Sequence, residues 1–303
     1  MNTKVTVGIC ARNCAQDIER IVDLICSQDF NHERIEVIFI DDGSDDKTLS
    51  LIFKHAPRLN MNYRVYHQKW KGLGFSRNVV LKNAKGDYIV WVDDGTRISK
   101  NYIRKHVKFM DQHHTVGIAK GIIGAYNGSN LWAFLENAVH LSVSAEYKGK
   151  FTRKLPGTGG SVYRVLAANQ VGGFDERIYG ATEDMDIAYR MLKAGWRIYK
   201  TNLTFQITYN EKFVEVWNKN YWYGYGAHST LHKHKELSDI LYKSTPFAGL
   251  IEGLYISFPA YKLTSKKIVF LLPIYFSIKR VAFCLGFIKS HLDTYRLRNR
   301  SNA

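Results

Sequence analysis

Along the N-terminal third of the chain, short apolar runs alternate with segments of helical period. Val5-Thr-Val-Gly-Ile-Cys10 reads as a strand, Asp17 to Ser27 sets Ile18, Ile21, Val22 and Ile25 on one helical face, and Ile35 to Ile40 is again a strand. The polar turn from Asp41 to Asp46 opens a helix through Leu49, Leu51, Ile52 and Phe53. Tyr63 to His67 is a strand, a helix runs past Arg77 to Ala84, and Tyr88 to Val92 re-enters the sheet. Strand, helix and strand in repetition predict an α/β fold with a doubly wound, mostly parallel sheet, in which ligands bind beyond the carboxyl ends of the strands. Asn13, Asp41, Asp42, Asp93 and Asp94 all fall at such ends.

After Lys100 the pattern is mixed, with a helix over Tyr102 to His113, a strand over Val116 to Ile123 and a glycine-rich passage from Pro156 to Ser161. In Gly180-Ala-Thr-Glu-Asp-Met-Asp-Ile187, the residues Glu183, Asp184 and Asp186 crowd the start of a helix carrying Ile187, Ala188, Met191 and Leu192. Acidic residues there answer the helix dipole, and the same placement suits a general base flanked by a second carboxylate. From Pro246 onward Phe247 to Tyr261 and Ile268 to Phe287 are apolar, broken by Pro259, Pro273, Lys279 and Arg280. A spanning helix wants ~20 apolar residues with few charges. Two cations in mid-segment therefore favour a peripheral or re-entrant position in which both snorkel, over a clean crossing or a buried helical subdomain. The expected division is residues 1–225 as one domain, with a nucleotide-binding half (1–97) and a second half (98–225), followed by a helical, basic and aromatic, membrane-associated region over 226–303.

Forty-three Lys and Arg against 27 Asp and Glu give a formal net charge of +16, which favours anionic partners. Lys262, Lys266, Lys267, Lys279, Arg280, Lys289, Arg296, Arg298 and Arg300 lie among apolar residues, so an anionic membrane surface fits better than nucleic acid, for which no module is visible. Cys10, Cys14, Cys26 and Cys284 lack zinc-ligand spacing and read as reduced core residues. His228, His232 and His234 likewise read as solvated. No charged-then-apolar leader precedes the first strand, which points to the cytoplasmic face of the cell membrane. A dinucleotide dehydrogenase is excluded because no G-x-G-x-x-G follows that strand.

The ordered blocks V-T-V-G-I-C-A-R-N, V-I-F-I-D-D-G-S-D-D-K-T, G-L-G-F-S-R-N, G-D-Y-I-V-W-V-D-D-G-T, G-G-F-D-E-R and G-A-T-E-D-M-D-I-A-Y-R-M-L-K-A-G-W-R-I resemble the inverting glycosyltransferase family 2 over Lys4 to Tyr225. The resemblance implies a GT-A fold with a C-terminal helical membrane-associated appendage, of the polysaccharide or lipid-linked-saccharide type. It implies a hexosyltransferase-like enzyme moving a sugar from a nucleotide-sugar donor to a lipid-linked saccharide or polysaccharide acceptor. Cys10, Arg12, Asn13, Asp41, Asp42, Arg77, Asp93 and Asp94 match positions that hold the donor. Asp41 and Asp42 equally suit the turn before Gly43, and a helix-surface position is the alternative for Arg77.

Asp93 and Asp94 stand where the family carries an Asp-x-Asp metal motif for Mg2+ or Mn2+, with Gly95 in place of the second acid. Asp184 matches the catalytic base. Gly159, Gly160, Glu183, Asp186, Arg190 and Trp222 are expected to orient the site or meet the acceptor; Trp222 suits a membrane-interface belt equally well. The thinned metal motif leaves a second reading, a catalytically weak membrane-bound nucleotide-sugar sensor or scaffold, against which the retained Glu183-Asp184 pair argues.

Overall fold

The computed structural model describes residues 2–124, 130–207 and 212–301, with the backbone alone for 145–147 and 296–301. Its elements in chain order are β1 (Val5–Ala11), α1 (Ala15–Cys26), β2 (Ile35–Asp42), α2 (Thr48–His55), β3 (Asn62–Gln68), α3 (Leu73–Asn83), β4 (Tyr88–Trp91), β5 (Thr96–Ile98), α4 (Tyr102–Gln112) and β6 (Val116–Ile123). There follow α5 (Leu131–Tyr147), β7 (Lys150–Thr152), β8 (Ser161–Arg164), α6 (Val165–Gln170), α7 (Glu183–Lys193), β9 (Arg197–Ile207), α8 (Phe213–Lys233), α9 (Asp239–Lys243), α10 (Pro246–Thr264) and α11 (Leu272–Ser301). Two compact units result: Met1–Gly124, Tyr147–Glu176 and Asp184–Thr208 form the first, and Ala125–Glu146, Arg177–Glu183 and Tyr209–Ala303 the second. The expected boundary after Tyr225 falls inside α8, which runs unbroken through Gly224 and Gly226.

In the first unit the strands run β3-β2-β1-β4-β8-β6-β9-β5, with β7 on β9. β3, β2, β1 and β4 are parallel, as their crossover helices require. Beyond β4 the sheet is mixed: β8 is antiparallel to both β4 and β6, while β6 and β9 pair in parallel. Alternate residues of each central strand feed two cores. Val7, Val37, Phe39 and Val90 pack with Ile18, Ile21, Val22 and Ile25 of α1 on one face. On the other, Ile38, Ile40, Ile89 and Trp91 pack with Val80 of α3 and Ile187, Ala188 and Met191 of α7. Burial on both faces is why these strands are predominantly apolar. Because β2 and β4 flank β1, the chain reverses its direction of winding there, and the carboxyl ends of β1, β2 and β4 open onto a common crevice.

The second unit is helical, with a core of Leu135, Ala138, Val216, Ile256, Ala260, Val269, Leu272, Tyr275 and Phe276. Lys279 and Arg280, expected to snorkel, instead carry internal partners. Lys279 Nζ lies 2.6 Å from Oε2 of the buried Glu136, which also accepts from the Tyr275 hydroxyl, and Arg280 pairs with Glu252 at 2.8 Å. The desolvation cost that argued for snorkelling is thus offset by pairing. His228 is buried at 4% exposure, which corrects the expectation of a solvated residue; α11 covers it. The side chains of Arg296, Arg298 and Arg300 lie outside the described residues.

Removing one partner of a buried ion pair strands the other. Glu136→Ala is expected to cost about 3 kcal/mol, read as a fall in the urea midpoint. An unchanged midpoint would show that the pair with Lys279 contributes nothing.

Candidate active site

At the end of β2 both carboxylates are built into the crevice wall. Asp41, fully buried, accepts from Ser44 Oγ (2.5 Å) and lies 2.8 Å from His67 Nδ1. Asp42 accepts from the Lys71 and Gly72 backbone N–H groups (both 2.9 Å) and from Gln68 Nε2 (2.8 Å), fastening the loop after β3 to the end of β2. Gly43 makes that approach possible: its φ is +70°, and a Cβ there would lie 2.6 Å from Trp70 N. Asn13 also has a left-handed backbone (φ 50°); its N–H donates to Ser44 Oγ and its Oδ1 accepts from Asp45 N–H. The guanidinium of Arg12 stacks 4.7 Å over the half-exposed ring of Trp70. Cys10 is half-buried on β1. All four cysteines are free thiols, and burial pushes that of Cys14 up to about 12.

Arg77 is 3% exposed, so the helix-surface alternative fails. Its guanidinium stacks 5.7 Å from the Phe174 ring, with Nη2 3.8 Å from Asp93 Oδ1. Asp93 stays one-third exposed just past β4, and Thr158 Oγ1 reaches its Oδ2 at 3.5 Å. Asp94 is exposed, and Gly95 turns the chain at φ +70°.

The passage 156–160 is the centre of the arrangement. It is anchored by Gly160 N–H donating to Trp91 O (3.0 Å) and by Tyr102 Oη donating to Gly160 O (2.6 Å). A Cβ on Gly157 would lie 3.3 Å from Asp184 Oδ2, and one on Gly159 would lie 2.8 Å from Asp93 Oδ2. The glycines therefore let one loop pass between the two carboxylates. At Gly160 (φ +70°) a Cβ would strike the Phe205 ring. Lys120 of β6, 7% exposed, donates from Nζ to Gly157 O at 2.9 Å. Burial pulls the Lys120 ammonium down to about 8 against the attraction of Asp184 and Asp93. Lys200, the register partner of Lys120 on β9, is pulled down to about 7 by burial and by repulsion from Lys120 and Lys154.

Sequence reasoning missed Lys120 and Trp70. A lone cation inside the apolar run Val116 to Ile123 is the signal that marks the first; nothing in the sequence marks the second.

α7 presents the acidic cluster. Thr182, a β-branched residue, precedes it at φ 86°, a conformation that costs about 1–3 kcal/mol and that clusters at functional sites. Glu183 is buried, and Asp184 Oδ1 accepts from Met185 N–H. Asp186, fully buried, binds Nε and Nη2 of Arg190, which also donates to Val171 O and Gly173 O. That clamp fixes the turn before Phe174, the ring against which Arg77 stacks, so Asp186 and Arg190 act on the crevice indirectly. Trp222 belongs to the second unit, 41% exposed and stacked on Tyr225 at 5.7 Å.

Asp93 and Asp94 offer hard oxygens at the crevice, the first one-third exposed and the second exposed. The residues fit a divalent cation that takes its remaining ligands from substrate and water.

Residues 6–170 match the family model described as Glycosyl transferase family 2. Among curated proteins, the chain is 31% identical over 112 residues to the poly(ribitol-phosphate) beta-N-acetylglucosaminyltransferase TarS of Staphylococcus aureus, covering 37% of this chain and 20% of that one. It is 26% identical over 208 residues to the beta-monoglucosyldiacylglycerol synthase of Synechocystis sp., covering 64% and 41%. The matches thus span a fifth to two-fifths of these relatives' own lengths. Among solved structures, the mannosyltransferase PcManGT from Pyrobaculum calidifontis, in complex with GDP-Man and Mn2+, superposes at a TM-score of 0.69 with 18% identity, covering 97% of this chain and 88% of that one. TarS residues 1–349 of S. aureus in complex with UDP superpose at 0.55 with 19% identity, covering 97% and 92%. These likenesses show a common GT-A fold, and with the family match over more than half its length the chain belongs to glycosyl transferase family 2.

Proposed function

We propose that the protein is an inverting glycosyltransferase that moves a sugar from a nucleotide-sugar donor to a lipid-linked saccharide or polysaccharide acceptor at the cytoplasmic face of a membrane. The observation that carries this reading is the glycine loop 156–160, which passes between Asp93 and Asp184 over the buried ammonium of Lys120. Relatives named as glycosyltransferases, and fold neighbours bound to GDP-Man and UDP, support the donor class.

In this mechanism Asp184 takes the proton from an acceptor hydroxyl as its oxygen attacks the anomeric carbon from the face opposite the leaving nucleoside diphosphate, which inverts that carbon. Arg12, Asn13 and the wall tied by Asp41 and Asp42 hold the nucleotide. Two carboxylates facing an anionic donor would repel it. Arg77 and Lys120 supply the counter-charge, fixed in place before the diphosphate develops further charge on departure. A divalent cation held by Asp93 and Asp94 would supply Lewis-acid stabilisation of that diphosphate. The Mn2+ of PcManGT supports manganese as the first ion to test. The retained Glu183-Asp184 pair argues against a sensor or scaffold.

The acceptor class rests on the second unit. Phe247, Leu250, Ile251, Leu254, Tyr255 and Phe258 of α10 are 47–79% exposed, beside Lys262, Lys266 and Lys267. So large an apolar surface bordered by cations suits the interface of an anionic bilayer. A stretch over Lys267–Tyr295 is long and apolar enough to cross a membrane by length and composition alone. That stretch packs Leu272, Tyr275 and Phe276 into the core of the helical unit, which supports a peripheral position over a crossing.

Asp184→Asn should abolish transfer, by about 10²- to 10⁴-fold, while donor affinity is kept. Near-normal turnover would contradict the base assignment. Excess chelator should suppress activity and manganese or magnesium restore it; full activity in chelator would leave the cations to carry the diphosphate alone.

Lys120 is charged below about 8 and neutral above it, so the KM for donor should rise as pH climbs through that value. In Lys120→Met the KM should be already high and flat across the same window; a rise identical to wild type would place the titrating group elsewhere.

For the membrane, removing the C-terminal region is a poor test, because Ile256, Val269, Leu272, Tyr275 and Phe276 are core. Leu250→Asp with Leu254→Asp, both on the exposed face, should instead release the protein from anionic vesicles and spare donor binding. Undiminished sedimentation with vesicles would remove the support for a lipid-linked acceptor.

A further inference from the structure

His228, His232 and His291 belong to the second unit and to none of the residues assigned to transfer. His228 and His232 are four apart on α8, the spacing by which one helix presents two imidazoles to a single ion. His291 comes to them from α11. One ligand nitrogen from each of the three lies within 4.8 Å of the others. His228 Nε2 and His291 Nδ1 are 3.2 Å apart. Two nitrogens each bound at 2.0–2.1 Å to one tetrahedral zinc stand ~3.3–3.4 Å apart, so this pair already has the spacing of neighbouring ligands on one ion.

The convergence comes from how the two helices pack. A Cβ on Gly224 would fall 1.9 Å from Phe283 O, and one on Gly286 would fall 1.9 Å from Tyr221 O, so α8 and α11 touch backbone to backbone. His228 lies one turn beyond Gly224, and His291 just beyond Gly286. The Phe287 ring, 5.1 Å from the His228 ring, makes an apolar floor. His228 is buried while His232 and His291 are exposed, which leaves one side open to solvent. A packed crossing that holds the imidazoles together lowers the ordering cost of binding.

We propose that His228, His232 and His291 form a three-imidazole site for a borderline-soft divalent transition metal, zinc foremost, with a fourth position taken by water, tying α8 to α11. An all-nitrogen donor set selects against Mg2+ and Mn2+, the ions that suit Asp93 and Asp94. The two sites are therefore separable by metal.

The test uses the full chain, stripped with chelator and dialysed, with Zn2+ titrated against a chromophoric competitor. The expected result is one tight equivalent, with Co2+ giving the intense visible absorption of a tetrahedral site. Because His232 and His291 are exposed, His232→Gln and His291→Gln keep the fold, as circular dichroism would verify. Each should weaken Zn2+ binding at least ~100-fold, since even partners outside the coordination shell are worth 10–100-fold. Zinc should raise the melting temperature of the wild type and not of the double variant. Asp93→Asn combined with Asp94→Asn should leave the zinc affinity unchanged. No saturable binding, or equal binding by the wild type and the His232→Gln/His291→Gln double variant, would mean adventitious zinc only and overturn the site.

Discussion

The rest of the crevice depends on one buried positive charge. Lys120 lies in the middle of an apolar strand, 7% exposed, where an ammonium pays a desolvation penalty large enough to pull it down to about 8. It is retained because three partners act on it: the Gly157 carbonyl by hydrogen bond, and Asp184 and Asp93 by charge. The same arrangement dictates why the loop is glycine-rich. Side chains at 157 and 159 would press on the two carboxylates, so the backbone itself has to fill the space between them.

Around that charge the supports are layered. Arg190, held by Asp186, fixes the Val171 to Gly173 turn; the turn presents Phe174, and Phe174 and Asp93 seat Arg77. Asn78 closes the same turn by donating to Phe174 O and accepting from Phe174 N–H. Under the proposed function, the cations that would meet a diphosphate are thus positioned before it arrives, which is the condition for their charge to count in the transition state.

The parallel half of the sheet was legible in the sequence because each strand is short, apolar and followed by a helix with a clear stripe, as in Ile18, Ile21, Val22 and Ile25. The second half was less so. β8 inserts antiparallel between β4 and β6, a pairing over long sequence separations that no local pattern announces. α5 is apolar on several sides because it is packed within a helical unit, so its period is blurred. The crevice acids were legible as strand ends and as a helix start. Lys120 was not, since its meaning comes from Gly157, Asp93 and Asp184, which lie far away in sequence. Lys279 and Arg280 were visible as interruptions of an apolar segment, but their partners Glu136 and Glu252 could be found only in the fold.

The central claim is that Lys120 and Asp184 act as one electrostatic unit across the glycine loop. A double-mutant cycle on the single-turnover transfer rate, using Lys120→Met and Asp184→Asn, tests it most directly. If the claim holds, Lys120→Met should cost about tenfold or more in the wild-type background and several-fold less once Asp184 is Asn, where only its attraction for the diphosphate remains. Equal losses in both backgrounds would show that the two residues act independently and would contradict the account.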